Sequence, residues 1–305
     1  MSMLSRLAES LPLPQAGQEL LENPQRTPAL TRDRFTAARR ISALPHLFEH
    51  RDDFDTVEAY CLFVGHGRTG HSLVGSLLNG HPEMVISHEL DALRLLDRAQ
   101  VPVSRDQLFS AILQRDDEFT NLGREWERYS YNVPETAQGE FDRLRIIGDK
   151  KGAASTRRLG TSPELLGDLR DTVSMPIRAV HVVRNPFDTI ASRRKLKETW
   201  QEYGIEKYFA NADNVELIDG MLDDDELFRL HHEDLISDTA SVLSELCAFL
   251  GIDADDEYLS ACEEFVFDSP NQTRHEVEWS DTDIDRISTK SQEYDWLEQY
   301  SFETE

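Results

Sequence analysis

Residues 65–72 have the sequence GHGRTGHS, which combines three glycines with an arginine and two hydroxyl side chains. Glycines let the backbone curl so that successive N–H groups point inward, and the N-terminus of a following helix adds partial positive charge. Arg68 can add a charge-assisted contact to a phosphate or sulfate oxygen, and Thr69 and Ser72 carry hydroxyl donors. The pattern predicts an anion-binding loop; a glycine turn with a purely structural role is the alternative.

A second segment, RAVHVVRNPFDTIASRRKLK at residues 178–197, also carries groups that bind phosphate. Its apolar residues through Val183 predict a strand, and Pro186 suits the first turn of a helix. Arg184 therefore stands at the end of the strand, and Ser192 lies two turns along the helix. An arginine and a serine at this spacing can converge on one phosphate group.

Both segments need a sheet that brings them together, and the sequence predicts one. Apolar runs of strand length alternate with helical patterns, which favours one parallel sheet with helices on both faces. The fold class is therefore α/β. The predicted strands are Ala59–Val64, Glu83–Ser87, Leu144–Gly148, Ile177–Val183 and Leu227–His231.

The chain is expected to fold as a single domain with additions at both ends. Residues 1–55 carry five prolines and are predicted to form peripheral helices and loops. Residues 56–280 are predicted to form the α/β domain. Residues 281–305 are predicted to form an acidic, solvated terminal helix or tail.

The charge of the chain limits the classes of ligand that the protein is expected to bind. The chain has 58 acidic and 32 basic residues, a net charge of −26, which argues against a nucleic-acid surface because phosphate binding needs a basic face. Residues 143–197 are the exception, with thirteen Lys or Arg against five Asp or Glu. This basic segment predicts an anionic ligand, with a chance cluster of solvated arginines as the alternative.

Other compositional features exclude further classes. The three cysteines include no CxxC pair, so we expect neither a disulfide framework nor a metal site. No apolar stretch is long enough to span a membrane, and the start of the chain lacks the apolar core of a signal peptide. We therefore expect a cytoplasmic protein.

The spacing of residues 65–72 resembles the P-loop of nucleotide triphosphatases, but His71 stands where that motif requires lysine. ATP chemistry also needs an acidic residue at the end of a later strand to hold magnesium, and no convincing apolar strand ends in such an Asp. A nucleotide kinase or NTPase is therefore an alternative. The expected architecture is a single P-loop-like domain with a central parallel sheet flanked by helices.

Together the two segments resemble the nucleotide-binding motifs of sulfotransferases that use 3′-phosphoadenosine 5′-phosphosulfate (PAPS). VGHGRTGHSLVGSLLNGHPEM at residues 64–84 resembles the family's 5′-phosphosulfate loop, and RNPFDTIASR at residues 184–193 resembles its 3′-phosphate motif. GDK at residues 148–150 and HEDLI at residues 232–236 are further matches. The resemblance extends over about residues 58–252.

The resemblance implies which residues hold each end of PAPS, whose product is PAP (3′,5′-ADP). Two departures from the family pattern stand out. His71 replaces the usual Thr, so that a ring N–H would replace a hydroxyl contact, and the basic Arg-Lys-Gly element near the C-terminus is missing, with Arg274 as a possible substitute. The implied residues are Arg68, Thr69, Gly70, His71 and Ser72 for the 5′-phosphosulfate, and Arg184 and Ser192 for the 3′-phosphate.

Sulfuryl transfer needs cations or N–H donors where charge accumulates, and a base near the acceptor hydroxyl. The resemblance implies that Arg68 stabilises the leaving 5′-phosphate oxygen and that Lys150 helps at the sulfuryl group. Glu89 is the preferred base and His88 the second candidate. The structural alternatives are an exposed strand-end Lys150 and a salt bridge between Glu89 and a neighbouring arginine.

The expected activity is transfer of a sulfuryl group from PAPS to a hydroxyl or amine of a small-molecule, glycan or lipid acceptor. Trp126, Tyr129, Tyr131 and Trp200 are candidates to line an apolar acceptor slot, or else core residues. The non-enzymatic alternative is a nucleotide-binding protein that has lost its chemistry.

Overall fold

The computed structural model of the protein describes residues 39, 41–97, 102–126, 129–195 and 203–304. Most of the predicted peripheral segment lies outside the described residues, as do Lys197 and Trp200. All the predicted strands, the glycine-rich loop and the second phosphate-binding motif through Ser192 lie inside them.

A five-stranded parallel sheet forms the centre of the fold. The strands of the sheet are β1 (Ala59–Gly65), β2 (Met84–Ser87), β5 (Ile146–Asp149), β6 (Ile177–Val183) and β7 (Leu227–His231). Their spatial order is β2-β5-β1-β6-β7. The predicted parallel sheet is confirmed, and the ends of its strands differ from prediction by at most two residues. A separate antiparallel pair consists of β3 (Glu125–Trp126) and β4 (Tyr129–Ser130).

Helices connect and cover the strands. Within the described ranges, none of them combines the length and the apolar character that crossing a bilayer requires. They are α1 (Leu44–Glu49), α2 (His71–Asn79), α3 (Ala92–Leu96), α4 (Arg105–Asn121), α5 (Gly152–Thr161), α6 (Glu164–Val173), α7 (Pro186–Arg194), α8 (Tyr203–Asp219), α9 (His232–Ser237), α10 (Thr239–Leu250), α11 (Asp256–Phe265) and α12 (Asp281–Ser291).

Both faces of the sheet are buried, as expected for a parallel sheet covered by helices on each side. Along β1, Tyr60, Leu62 and Val64 belong to one apolar cluster, and Cys61 and Phe63 belong to another. This alternation follows from the two-residue period of a strand. The central strand β1 is buried along its whole length, so the loop that follows it begins at a rigidly held residue.

The C-terminal segment corrects the prediction of a solvated helix for residues 281–305. Helix α12 forms, but its Ile287 is fully buried, and Trp296 and Leu297 beyond it are also buried. These side chains pack in one cluster with Phe187 of α7 and Val215 of α8. The acidic composition of the segment concealed the apolar face that holds it on the α/β domain.

Candidate active site

The carboxyl ends of the five strands lie at the same edge of the sheet because the strands are parallel. Ligands of open α/β sheets bind at this edge. Here β1 leads into the loop at residues 65–72, β2 into Glu89, β5 into Lys150 and β6 into Arg184. The fold therefore brings every element that carries a predicted site residue to one edge.

The loop at residues 65–72 adopts a conformation that requires glycine at Gly70. This residue is left-handed, with a φ of 102°, and it is the N-cap of α2. A Cβ at this position would lie 2.5 Å from Nδ1 of His232, so no larger residue fits. The N-terminus of α2 opens on the loop and provides backbone N–H groups with partial positive charge.

Two of the predicted loop side chains point into the fold. Nε2 of His71 lies 2.9 Å from the carbonyl oxygen of Val64, and burial lowers the pKa of His71 to about 4, so the neutral ring donates to that carbonyl. The hydroxyl of Thr69 donates to the carbonyl of His66 at 2.8 Å. Both groups thus hydrogen-bond within the buried loop, and their expected contacts with a ligand stay a prediction.

The two predicted phosphate-binding segments are in direct contact. Nε of Arg68 donates to Oγ of Ser192 at 3.0 Å. Arg184 donates to the carbonyl of Arg68 at 3.2 Å and to the carbonyl of Asn271. Nε of Arg184 is buried without a hydrogen-bond partner, and burial lowers the pKa of this guanidinium. A buried cation with an unused donor is suited to an anionic ligand.

Lys150 connects the loop to Glu89. Its Nζ lies 2.8 Å from Oγ of Ser72 and 3.0 Å from Oε1 of Glu89, and its side chain is only 3% exposed. Lys151 donates to the other carboxylate oxygen of Glu89. The alternative of an exposed strand-end Lys150 is therefore wrong. Glu89 does form the salt bridge that the alternative predicted, but its partners are lysines and not arginines.

Asp149 holds the turn that carries Glu89. Its carboxylate accepts from the hydroxyl of Ser87 at 3.0 Å and from the N–H groups of Leu90 and Ala92 at 2.9 Å each. Glu89 lies within this turn in a left-handed conformation, with a φ of 62°. Strand β5 is a buried apolar strand that ends in Asp, which the run IIGD indicates, so the expectation that no such strand exists is wrong. The Asp149 carboxylate is occupied by these hydrogen bonds within the turn, so the fold does not assign it a role in binding magnesium.

The two lysines keep the Glu89 carboxylate ionised. Burial alone raises the pKa of Glu89, but the charges and hydrogen bonds of Lys150 and Lys151 outweigh burial and bring that pKa to about 2. The ionised carboxylate is the form that can accept a proton.

His88, the other candidate base, lies in different surroundings. Its ring stacks on Phe119 with the centroids 4.0 Å apart, and its Nε2 is buried without a hydrogen-bond partner. Burial lowers the pKa of His88 to about 2. The structure therefore separates the two candidates: Glu89 contacts the lysines beside the loop, and His88 is enclosed among aromatic rings.

An exposed aromatic surface lies next to His88. The ring centroid of Trp126 is 5.3 Å from that of His88, and Tyr129 lies 6.4 Å from Phe267. Trp126 is 41% exposed, Tyr129 44% and Phe267 61%. The alternative of a core position is therefore wrong for Trp126 and Tyr129.

Two arginines near the loop differ from expectation. Arg274 forms a buried ion pair with Asp188 at 2.5 Å, with both side chains 3% exposed, so it is wrong as a substitute for the missing C-terminal element. Arg193, which was not among the predicted site residues, donates from Nε and Nη2 to the carbonyl of Gly67 at 3.4 and 3.3 Å. Its position directly after Ser192 was the available signal.

The parallel sheet, the glycine loop before α2 and the cationic groups at one edge define a P-loop-like α/β protein. The chain belongs to the sulfotransferase family, whose sequence profile matches residues 62–256. No curated protein sequence matches this chain.

Solved sulfotransferase structures resemble this chain at low sequence identity, and one of them reaches a TM-score that supports a shared fold. STF9 from Mycobacterium avium is 12% identical, with a TM-score of 0.51 over 98% of this chain and 90% of that one. STF1 from Mycobacterium tuberculosis H37Rv is 14% identical, with a TM-score of 0.49 over 95% and 98%. The sulfotransferase domain of the Synechococcus PCC 7002 olefin synthase is 19% identical, with a TM-score of 0.43 over 68% and 78%.

Proposed function

We propose that this protein transfers the sulfuryl group of PAPS to a hydroxyl or amine of an acceptor. The observation that carries the proposal is the 3.0 Å hydrogen bond between Nε of Arg68 and Oγ of Ser192. It joins the segment that resembles the 5′-phosphosulfate loop to the segment that resembles the 3′-phosphate motif. One PAPS molecule at this point can therefore contact both.

Charge and hydrogen-bonding capacity support PAPS as the donor. Arg184 has a buried Nε without a partner, and Ser192 and Arg68 place a hydroxyl and a second guanidinium beside it. Arg184 and Ser192 would hold the 3′-phosphate through charge-assisted hydrogen bonds, and Arg68 would contact the 5′-phosphosulfate. Within a chain of net charge −26, such a cationic site fits a polyanionic nucleotide. PAPS supplies an activated sulfuryl group and a phosphate leaving group.

The N-terminus of α2, the hydroxyl of Ser72 and the ammonium of Lys150 would hold the 5′-phosphosulfate. Nζ of Lys150 already donates to Ser72, which puts a positive charge at the start of α2. Fixed donors aimed at the leaving oxygen stabilise the negative charge that develops there. Lys150 would thereby stabilise charge at the sulfuryl group, and Arg68 would stabilise charge at the leaving 5′-phosphate oxygen from the loop.

Glu89 would take the proton of the acceptor hydroxyl. Its carboxylate is ionised and lies 3.0 Å from Nζ of Lys150, next to the proposed position of the sulfuryl group. An anion in the loop draws Lys150 toward itself, which weakens the hold of that lysine on Glu89 and makes the carboxylate a stronger base. The acceptor is a small molecule, a glycan or a lipid that reaches Glu89.

Calorimetry tests the donor assignment. We expect PAP to bind tightly without magnesium, and ATP to bind far more weakly with or without magnesium. Arg184→Met should weaken PAP binding at least tenfold, because it removes charge-assisted hydrogen bonds, whereas Arg143→Met at a side chain that is 57% exposed should not. Magnesium-dependent ATP binding without PAP binding would overturn the proposal in favour of a kinase or NTPase.

A transfer assay tests the chemistry. Extracts incubated with radiolabelled PAPS and the protein should yield a labelled product, which mass spectrometry then identifies. Tight PAP binding without transfer to any acceptor would favour the alternative of a nucleotide-binding protein that has lost its chemistry.

A further inference from the structure

Arg193 follows Ser192 on α7 and contacts the same part of the loop. Its Nε and Nη2 donate to the carbonyl of Gly67 at 3.4 and 3.3 Å, while Oγ of Ser192 accepts from Arg68, the next residue of the loop. Consecutive residues of α7 thus contact consecutive residues of the loop. Arg193 and Ser192 therefore both face this loop from α7.

Within the described residues, no carboxylate forms an ion pair with Arg193. The side chain is partly buried, and in the described part of the chain its hydrogen bonds go to a backbone carbonyl and it takes part in no ion pair. Burial lowers the pKa of Arg193, and the positive charges of Arg157 and Arg68 lower it further. Holding a cation in such surroundings costs free energy unless an anion accompanies it.

Two nearby arginines do have counter-ions. Arg194 pairs with Asp283 at 3.1 Å and lies 4.2 Å over the ring of Trp279. Arg274 pairs with Asp188 inside the fold. Arg193 differs from both, because it faces the loop and no carboxylate of the described ranges pairs with it.

We propose that Arg193 binds the 3′-phosphate of the donor together with Arg184 and Ser192, in place of the missing C-terminal basic element. The inference rests on the proposed function. A phosphate monoester carries close to two negative charges, so two guanidinium groups can donate to its oxygens. The carbonyl oxygens of Arg68 and Gly67, which these arginines now contact at 3.2 to 3.4 Å, are weaker acceptors than a phosphate and would be exchanged for it.

A comparison of two nucleotides isolates the 3′-phosphate. Binding of PAP and of 5′-AMP is measured by calorimetry without magnesium, and the ratio of the two dissociation constants reports what the 3′-phosphate contributes. In Arg193→Met this ratio should fall about tenfold or more, mainly through weaker binding of PAP. Lys195→Met is the matched control, because it removes one positive charge from an exposed residue next to the same helix.

The ratio separates a binding role from a structural one. If Arg193 only supports the loop, both nucleotides weaken equally and the ratio stays at the wild-type value, which would overturn the inference while the proposed function stands. If wild-type protein does not prefer PAP over 5′-AMP, both the inference and the proposed function fail. Arg193→Lys keeps the charge and should lower the ratio less; should Arg193→Met not fold, an unchanged ratio in the lysine variant would decide against the inference.

Discussion

Nζ of Lys150 lies 3.0 Å from the carboxylate of Glu89 and 2.8 Å from the hydroxyl of Ser72. One ammonium group thus joins the loop that follows β1 to the turn that follows β2. Because Lys150 is almost wholly buried, we expect a change at Ser72 or at Glu89 to affect the other group through this ammonium.

Replacement of Glu89 by Gln should lower kcat about 100-fold or more, because the amide cannot accept the proton of the acceptor. PAP should bind as tightly as to the wild type, or more tightly, because Lys150 no longer shares its charge with a carboxylate. Steady-state kinetics and calorimetry measure the two quantities. Wild-type turnover in Glu89→Gln would exclude Glu89 as the base.

Lys151→Met should move the acid limb of the pH profile of kcat to higher pH. Lys151 is one of the two cations that bring the pKa of Glu89 down to about 2, so its removal raises that pKa and a larger fraction of Glu89 is protonated in mildly acidic buffer. Turnover measured between pH 4 and 8 tests this, with Lys195→Met as the control for loss of charge. Superimposable profiles would contradict the proposed role of Lys151.

Asp149→Asn should destabilise the protein by about 1–3 kcal/mol, because an amide N–H2 then faces backbone N–H groups of the turn. The same change should lower kcat, since the turn holds Glu89 in its left-handed conformation. Urea unfolding and kinetics measure the two effects. Asp225→Asn, at a side chain 79% exposed, is the control, and equal stability of both variants would contradict this role.

Acidification should destabilise the protein through histidines buried around the loop. Burial lowers the pKa of His66 to about 3, of His71 to about 4 and of His232 to about 3. Below pH 6.5 the unfolded chain binds protons that the folded protein does not, so the free energy of unfolding falls by about 1.4 kcal/mol per pH unit for each such histidine.

The contribution of one histidine is measurable by urea unfolding between pH 7 and 5. His71→Gln keeps an N–H donor for the carbonyl of Val64 but does not titrate, so its free energy of unfolding should depend less on pH. The exposed His275 provides the control variant His275→Gln. An identical pH dependence in all three proteins would contradict the explanation.

The strands were predicted accurately because each of them is a short apolar run. A strand that is buried on both faces can be recognised from such a run without information about distant residues. The prediction failed for residues 281–305, where acidic residues dominate the composition but Ile287, Trp296 and Leu297 are buried. It also missed Asp149, because the hydrogen bonds of that carboxylate go to residues about sixty positions earlier in the chain.

By itself, the sequence determined the order of strands, loop and helices and the two segments that carry phosphate-binding groups, since backbone conformation at glycine, proline and apolar runs is set locally. Which groups face the site depends on tertiary contacts. The His71 ring donates to the carbonyl of Val64, Arg274 pairs with Asp188, and Lys150 lies between Ser72 and Glu89. In the described part of the chain, no carboxylate pairs with Arg193. The physical reason is that burial and hydrogen-bond partners depend on which distant segments pack together, and spacing along the chain does not contain that information.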